Sequence, residues 1–506
     1  MTYTRFAPWL DNRTILSPVF DDFLNETIDK LIENSGKANR RDAVESRKVA
    51  LSVISANILR QCYVHPSIGL RIDLSNDGYS EGQFNPNKLG IRAIRDVIGY
   101  LENHVPPLIT KRGGNYDREI GIGHVTQIWG TDEMIDLLFL YVNKVTERGN
   151  TDIDRNQPIT RNTFNYTEYM AMYESMFASM DVPLIRLRNT SAKDNGTFAT
   201  FKPTRETSRM ESTLSEINDF IERRNVCDLF IPDSDFDRLR NEPQRNSSDF
   251  DEPESASVPL DLISRRKLYR VFNDGTFDHG GRFYGGWWQN IPSDYRRFIT
   301  INDTPTIEID FSNMQPAILY AQIGQQLVGD AYAVEGIDPS FRPLIKTTIL
   351  QLINGKERVK APRKTELPEN MTWNDLREAV RERHKPIARY FSSGEGIRLQ
   401  RLDSDIAETV LVAMMGKGIL ALPVHDSFIV AEGHQDSLRE TMLCAYQRKM
   451  AGKSIETKMA PTLIDELLAG KDGHLSPSER HSLGMKLFTP RGRNPIMQAI
   501  DSGKQY

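Results

Sequence analysis

The stretch TIEIDFSNMQPAILYA, residues 306–321, constrains this 506-residue chain more than any other. Ile307, Ile309 and Phe311 alternate with Glu308 and Asp310, the period of a strand with one buried face. Pro316 suits the first turn of a helix, and residues 317–323 continue as one. Asp310 therefore sits where a strand opens into a turn. An acid there, taken alone, is a helix cap or a turn residue. The segment ALPVHDSFIVAE, residues 421–432, changes the weighing. Leu422, Val424, Phe428 and Val430 alternate around His425-Asp426, which marks a second strand-borne acid. Two carboxylates on separate strands match the need of a two-metal site, which holds divalent ions about 3.5–4 Å apart. Magnesium suits such all-oxygen ligands, with manganese as an alternative.

Composition sets loose bounds. Hydrophobic residues make up 39 % and charged residues 26 %, ordinary for a globular protein of two to four domains. The formal net charge of −5 gives no sign of a polyanionic partner, so a nucleic-acid surface would have to come from local clusters of Lys and Arg. Cys62, Cys227 and Cys444 are far apart and suggest neither a disulfide framework nor a structural zinc site. The opening MTYTRFAPWLDNRT lacks the apolar run of a signal peptide, and no stretch reads as a membrane span. The expectation is a cytoplasmic protein without a membrane partner.

Residues 233–259 are rich in Asp, Glu, Ser, Asn and Pro, and read as an acidic linker that cannot bury a core. A polar tail spans 471–506. Within 1–150, Ile91, Ile94, Ile98 and Leu101 mark one face of a helix. The β-like runs 108–110 and 125–129 follow, separated by a turn carrying Lys111, Arg112 and Arg118. That order resembles a winged helix-turn-helix, a nucleic-acid-binding unit. An α+β domain with a solvated basic loop accounts for the same pattern. In 151–232, Met210, Leu214, Ile217 and Ile221 predict a long amphipathic helix, either thumb-like or a connector.

Three further segments lie in 260–470. Arg342, Lys346, Leu350 and Asn354 recur every four residues along one helical face. Cations one turn apart repel, a cost that a polyanionic ligand reverses; a solvated basic edge is the plainer reading. HGGRFYGGWWQNIPSDYRRFI, residues 279–299, interleaves Arg282, Arg296 and Arg297 with aromatic rings, as a nucleic-acid surface or a core would. IRLQRLDSDIAETVLVAM, residues 397–414, reads as a helix leading to the His-Asp strand.

In order along the chain, these segments resemble the landmarks of family A DNA polymerases. Gly281-Arg282 through Gln289-Asn290-Ile291-Pro292 resembles the family's "TGR…QNIP" stretch. Asp310-Phe311-Ser312-Asn313 is similar to motif A, "DYSQ". Arg342, Lys346 and Gly355 match motif B, "RxxxKxxxFxxxYG". Gln400 with Asp405-Ile406 resembles "QGTAADI", and His425-Asp426 resembles motif C. The similarity covers residues 265–435.

The resemblance implies an α/β (α+β) right-hand polymerase core with palm and reduced fingers, acting on a DNA primer-template (or RNA) with nucleoside triphosphates. It implies that Asp310 and Asp426 bind two Mg²⁺ ions and that Arg342 and the catalytic Lys346 meet the triphosphate. Gln315 and Asn354 would lie at the nucleotide. Arg282, Gln289, Asn290, Gln400 and His425 would touch primer or template. The departures bear on the sugar. Gln315 stands where the family has Glu, Leu350 and Asn354 replace two aromatic positions, and HDS replaces HDE, as in single-subunit phage-type RNA polymerases. An RNA polymerase or primase is thus one alternative, and a non-catalytic replication initiator another. The DxE of residues 117–119 reads as a charged loop. Gly452-Lys453-Ser454 lacks the first glycine of a phosphate loop.

Overall fold

A computed structural model describes residues 10–35, 40–64, 69–74, 85–113, 126–147, 175–179, 183–189, 198–224, 227–231, 266–302, 304–355 and 366–462, with a few short stretches and single residues between them. The linker expected at 233–259, Arg118 and the tail 471–506 lie outside the described residues, apart from three isolated positions in the linker. The chain is a mixed helix-and-sheet protein that divides into two compact units. The described residues up to Pro183, the few between 233 and 265, and Asn290–Pro292 form the first; the other described residues from Leu184 form the second.

In the first unit, β1 (Thr14–Leu16) is followed by α1 (Asp21–Ser35), α2 (Arg41–Val64), β2 (Leu70–Ile72) and α3 (Ile91–Asn103). β3 (Ile109–Arg112), β4 (Thr126–Gly130), α4 (Asp132–Glu147) and β5 (Phe177–Ser179) follow, and a two-residue strand pair, Tyr116–Asp117 with Ile122–Gly123, lies between β3 and β4. Ala93, Ile94, Val97, Ile98 and Leu101 are the buried stripe of α3. The antiparallel sheet runs β2-β4-β3, with Lys111 opposite Ile128 and Arg112 opposite Gln127. Lys111 forms an ion pair with Glu102.

Asp11 clips the start of this unit to α2. Its carboxylate accepts hydrogen bonds from Arg13 (2.7 and 3.0 Å) and Arg60 (3.1 Å), while its backbone exchanges two 2.9 Å bonds with Asn57. Burial works against the charge, but Arg13 and then Arg60 hold the carboxyl well below the usual carboxylate range. A depressed folded value means that this stabilisation is complete above the unfolded pKa, near ~4, and is lost as pH falls below it. Asp11→Ala removes the carboxylate partner of the half-exposed Arg13 and the largely buried Arg60, so the unfolding free energy of this unit should drop by about 2 kcal/mol at pH 7. Urea unfolding should show the gap between variant and wild type begin to narrow as pH falls below ~4 and go on narrowing with further acid.

The second unit opens with β6 (Ile185–Arg188), β7 (Phe198–Ala199), α5 (Arg205–Arg224) and β8 (Cys227–Leu229). These residues belong to the stretch 151–232 read from sequence as a connector or a thumb-like region, and they group with this unit. β6 pairs in parallel with β9 (Tyr269–Phe272), and Asn218 on α5 exchanges hydrogen bonds of 2.9 and 2.7 Å with the backbone of Leu268. β9 also pairs antiparallel with β10 (Gly280–Tyr284), giving a four-stranded sheet in the order β10-β9-β6-β7.

The second sheet is antiparallel and carries Asp310 on a strand and Asp426 in a turn between two strands. After β11 (Ile299–Ile301) and β12 (Thr304–Phe311) come α6 (Met314–Gln322), α7 (Arg342–Asn354), α8 (Trp373–Arg383) and α9 (Gly396–Gly416). β13 (Ala421–Val424), β14 (Ser427–Ala431), α10 (Gln435–Lys449) and β15 (Thr457–Met459) follow. Strand order is β8-β11-β12-β14-β13, with β15 beside the far end of β12. Ile307, Ile309 and Phe311 are buried as the alternation requires. Trp288 and Gln289 hold β13 from behind, since Trp288 Nε1 (3.0 Å) and Gln289 Nε2 (3.1 Å) both donate to the Pro423 carbonyl. No described helix is long and apolar enough to cross a membrane.

Candidate active site

The register of β12 against β14 places Asp310 opposite Ser427, the residue that directly follows Asp426. Phe311 N also donates to the Asp426 carbonyl at 3.3 Å. Asp310 thus lies at the end of β12, whereas Asp426, expected on a strand, lies in the two-residue turn between β13 and β14, next to the residue that faces Asp310. Sharp backbone turns aim both of them. His425 holds φ of 56° in the two-residue connection between β13 and β14, and Asn313 holds 57° just before α6. Non-glycine residues in this region cost on the order of 1–3 kcal/mol and cluster where geometry is functionally constrained.

Asp310's carboxyl is pushed up to about 8. Desolvation contributes first, then the negative charges of Asp426 and Glu308, while Lys346 and the Phe311 amide pull the other way. Because the Asp310 side chain is open to solvent, like-charge repulsion is the firmer cause of the rise. A divalent cation would relieve that repulsion. Carboxylate oxygens are hard ligands suited to Mg²⁺, which draws the rest of its shell from water and phosphate. Among the described residues there is no cluster of three or more His, Cys, Asp or Glu side chains able to cage an ion alone.

Glu308 is the acid next to Asp310 on the same strand face, and its charge is already matched. Arg296 donates to it at 2.8 and 3.1 Å, and Ser427 Oγ donates at 2.6 Å. Lys458 lies opposite Asp310 on β15. Arg296, Arg297, Glu308, Asp310 and Lys458 line a cleft of about 330 Å³.

The helix α7 presents Arg342 and Lys346 on its exposed side, and both cations lie over the ring of Tyr332, at 5.0 and 5.9 Å. Arg342 is bound by both oxygens of Asp330, at 2.6 and 3.1 Å. His384 Nε2 lies 2.8 Å from the Ala331 carbonyl and its Nδ1 lies 3.3 Å from the Tyr320 hydroxyl, so a buried imidazole fixes the 330–332 turn. Burial holds its pKa below the usual histidine value, which favours the neutral form these bonds need. Tyr332 itself is 6 % exposed, and its hydroxyl is held protonated by burial and by the charge of Asp426. Periodicity offers no signal for Asp330, Tyr332 or His384, because their link to Arg342 is made only by packing.

Gln315 and Asn354, 39 residues apart, are brought side by side, with Asn354 Nδ2 3.5 Å from Gln315 Oε1. Gly396 supports this arrangement, because a Cβ there would overlap the Asn354 side-chain oxygen. Arg282 is committed to Asp403 at 2.7 and 3.2 Å. Burial opposes its charge, yet Asp403 keeps the guanidinium protonated. Gln400 lies one turn before Asp403 on α9 and is 3 % exposed. The Gln289 side chain is buried against backbone, donating to the Phe283 carbonyl at 2.9 Å as well as to Pro423. Asn290 is half-buried and groups with the first unit. His425 adjoins Tyr284, ring centres 6.2 Å apart.

No protein-family model matches the chain, and no curated protein matches it. One solved structure with similarity is the POL domain of Pol1 from M. smegmatis in complex with DNA primer-template and dNTP. The match has 15 % identity and a TM-score of 0.27, covering 39 % of this chain and 48 % of that one.

Proposed function

We propose that the chain is a template-directed nucleotidyltransferase of the DNA polymerase kind, extending a primer 3′-OH. The observation that carries this reading is the acid pair, Asp310 at the end of β12 beside Asp426 in the turn that enters β14, with Lys346 close enough to offset the charge of Asp310. In this reading the antiparallel sheet is a palm and α7 belongs to reduced fingers. The first unit binds nucleic acid through the basic end of its β3-β4 hairpin.

Asp310 and Asp426 would hold two Mg²⁺ ions, which when bound stabilise the attacking and leaving oxygens of an in-line displacement. The residues of the chain do the rest by positioning. The primer 3′-oxygen attacks the α-phosphorus, the bond to pyrophosphate breaks, and the 3′-OH proton passes to solvent. Lys346 neutralises the triphosphate; Arg342 joins it by exchanging Asp330 for phosphate oxygens. Gln289 acts as a positioning residue for the strand that leads to Asp426. Arg282, held by Asp403, Gln400 and His425 border the primer end, and Asn290 completes the nucleic-acid set.

The pairing of Gln315 with Asn354 favours a sugar gate without a charge, and keeps a ribonucleotide-using enzyme as the second reading. A deoxynucleotide preference on the order of tenfold is expected, which needs about 1.4 kcal/mol of differential transition-state binding. Gly396→Ala should displace Asn354 and narrow that margin. Extension of one labelled primer with competing dNTP and NTP on DNA and RNA templates checks both points. A clear preference for NTP, with synthesis from no primer, would move the chain to the RNA polymerase or primase reading. No incorporation on any template would remove the enzymatic reading.

A further inference from the structure

The four-stranded sheet carries one face that the acid pair does not use. Its register puts Tyr284 opposite Tyr269 and Arg282 opposite Val271, with Arg186 beside Val271 and Phe198 opposite Arg188. All of these except Val271 are half-buried, whereas Arg270, Phe272 and Phe283 on the other face are buried. Rings and cations lie next to one another along this face, with the buried Val271 between Arg282 and Arg186. Tyr284 lies 6.2 Å from His425 and 6.2 Å from Tyr269. The Arg186 guanidinium carbon lies 3.5 Å from the centre of the Tyr269 ring and 5.6 Å from that of Phe198, and Arg188 lies 5.9 Å from Phe198.

We propose that this face is a stacking track for single-stranded nucleic acid, leading across β7, β6, β9 and β10 to the His425-Asp426 turn. Charge complementarity selects that occupant: Arg186 and Arg188 match phosphates, and the Arg186 plane, stacked on and oriented by Tyr269, is the surface offered to a base. A four-stranded sheet face stacks two or three bases, and an arginine plane can itself carry one. Base stacking on aromatic side chains tolerates any sequence, which suits a track for a template overhang. The inference rests on the nucleotidyltransferase reading for its partner class, but its test does not need turnover.

Full-length protein is titrated into a fluorescein-labelled oligo(dT) strand about twelve nucleotides long, without nucleotide or divalent metal, and anisotropy is read at several salt concentrations. Tyr269→Ala should weaken binding at least about fivefold, while Tyr269→Phe binds as wild type, since stacking needs the ring and not the hydroxyl. Arg186→Ala with Arg188→Ala should lower the slope of log affinity against log salt by about 1.4, at about 0.7 for each phosphate that is no longer neutralised. Unchanged affinity and slope in these variants would overturn the track, as would equal losses in Tyr269→Ala and Tyr269→Phe. Asp310→Asn should bind the strand like wild type. Synthesis surviving that substitution would therefore sink the catalytic reading and leave the track standing, and loss of synthesis with unaltered binding in the sheet variants would do the reverse.

Discussion

Asp310→Asn and Asp426→Asn should each reduce nucleotide incorporation by about 10³-fold or more, a loss of about 4 kcal/mol of transition-state stabilisation. Asparagine keeps the size and the strand pairing but removes the charge on which a divalent ion depends. The protein should remain folded, because Asp310 is exposed and its neighbours repel it. The pH behaviour gives an independent check. A carboxyl raised to about 8 in the folded state binds its proton more tightly there than in the unfolded chain. Without metal, wild-type stability should therefore fall as pH rises from ~4 through about 8. Asp310→Asn should lack that decline, so its melting temperature gains on wild type across the window. Near wild-type Mg²⁺-dependent synthesis by either variant would end the assignment of the acid pair.

Lys346→Ala should lower kcat/KM for the nucleotide by about 10²-fold, or about 2.7 kcal/mol, with a smaller change in template affinity. Lys346 is exposed on α7, so its loss opens no cavity, yet its charge reaches Asp310. Arg342 should matter less in proportion, because its ion pair with Asp330 must first be exchanged for phosphate. Lys346→Arg should recover part of the rate. Single-turnover kinetics over a range of nucleotide concentration would separate the two roles. Weakened template binding with unchanged nucleotide kinetics would instead put Lys346 on the nucleic-acid surface.

The alternation of Ile307, Ile309 and Phe311 is enough to specify a strand with Asp310 on its other face, because period-two burial needs no partner to be read. The spacing of Arg342 and Lys346 likewise specifies a shared helical side. Ile91 through Leu101 mark their helix for the same reason. That β6 and α5 pack with the second unit is not legible locally, because β9 and Leu268, which hold them, lie fifty or more residues later.

Local periodicity, then, determined where the acids and cations of this chain lie along their own strands and helices. Which acid meets which was decided only by the tertiary structure: the register of β12 on β14 sets Asp310 beside Asp426, and packing against Tyr332 and Asp330 places the cations of α7. The same holds for the bonds of Arg282 to Asp403 and of Gln289 to the Pro423 carbonyl, partners more than a hundred residues away. A buried charge or amide must find its partner wherever the folded chain brings one, and sequence distance does not limit that choice.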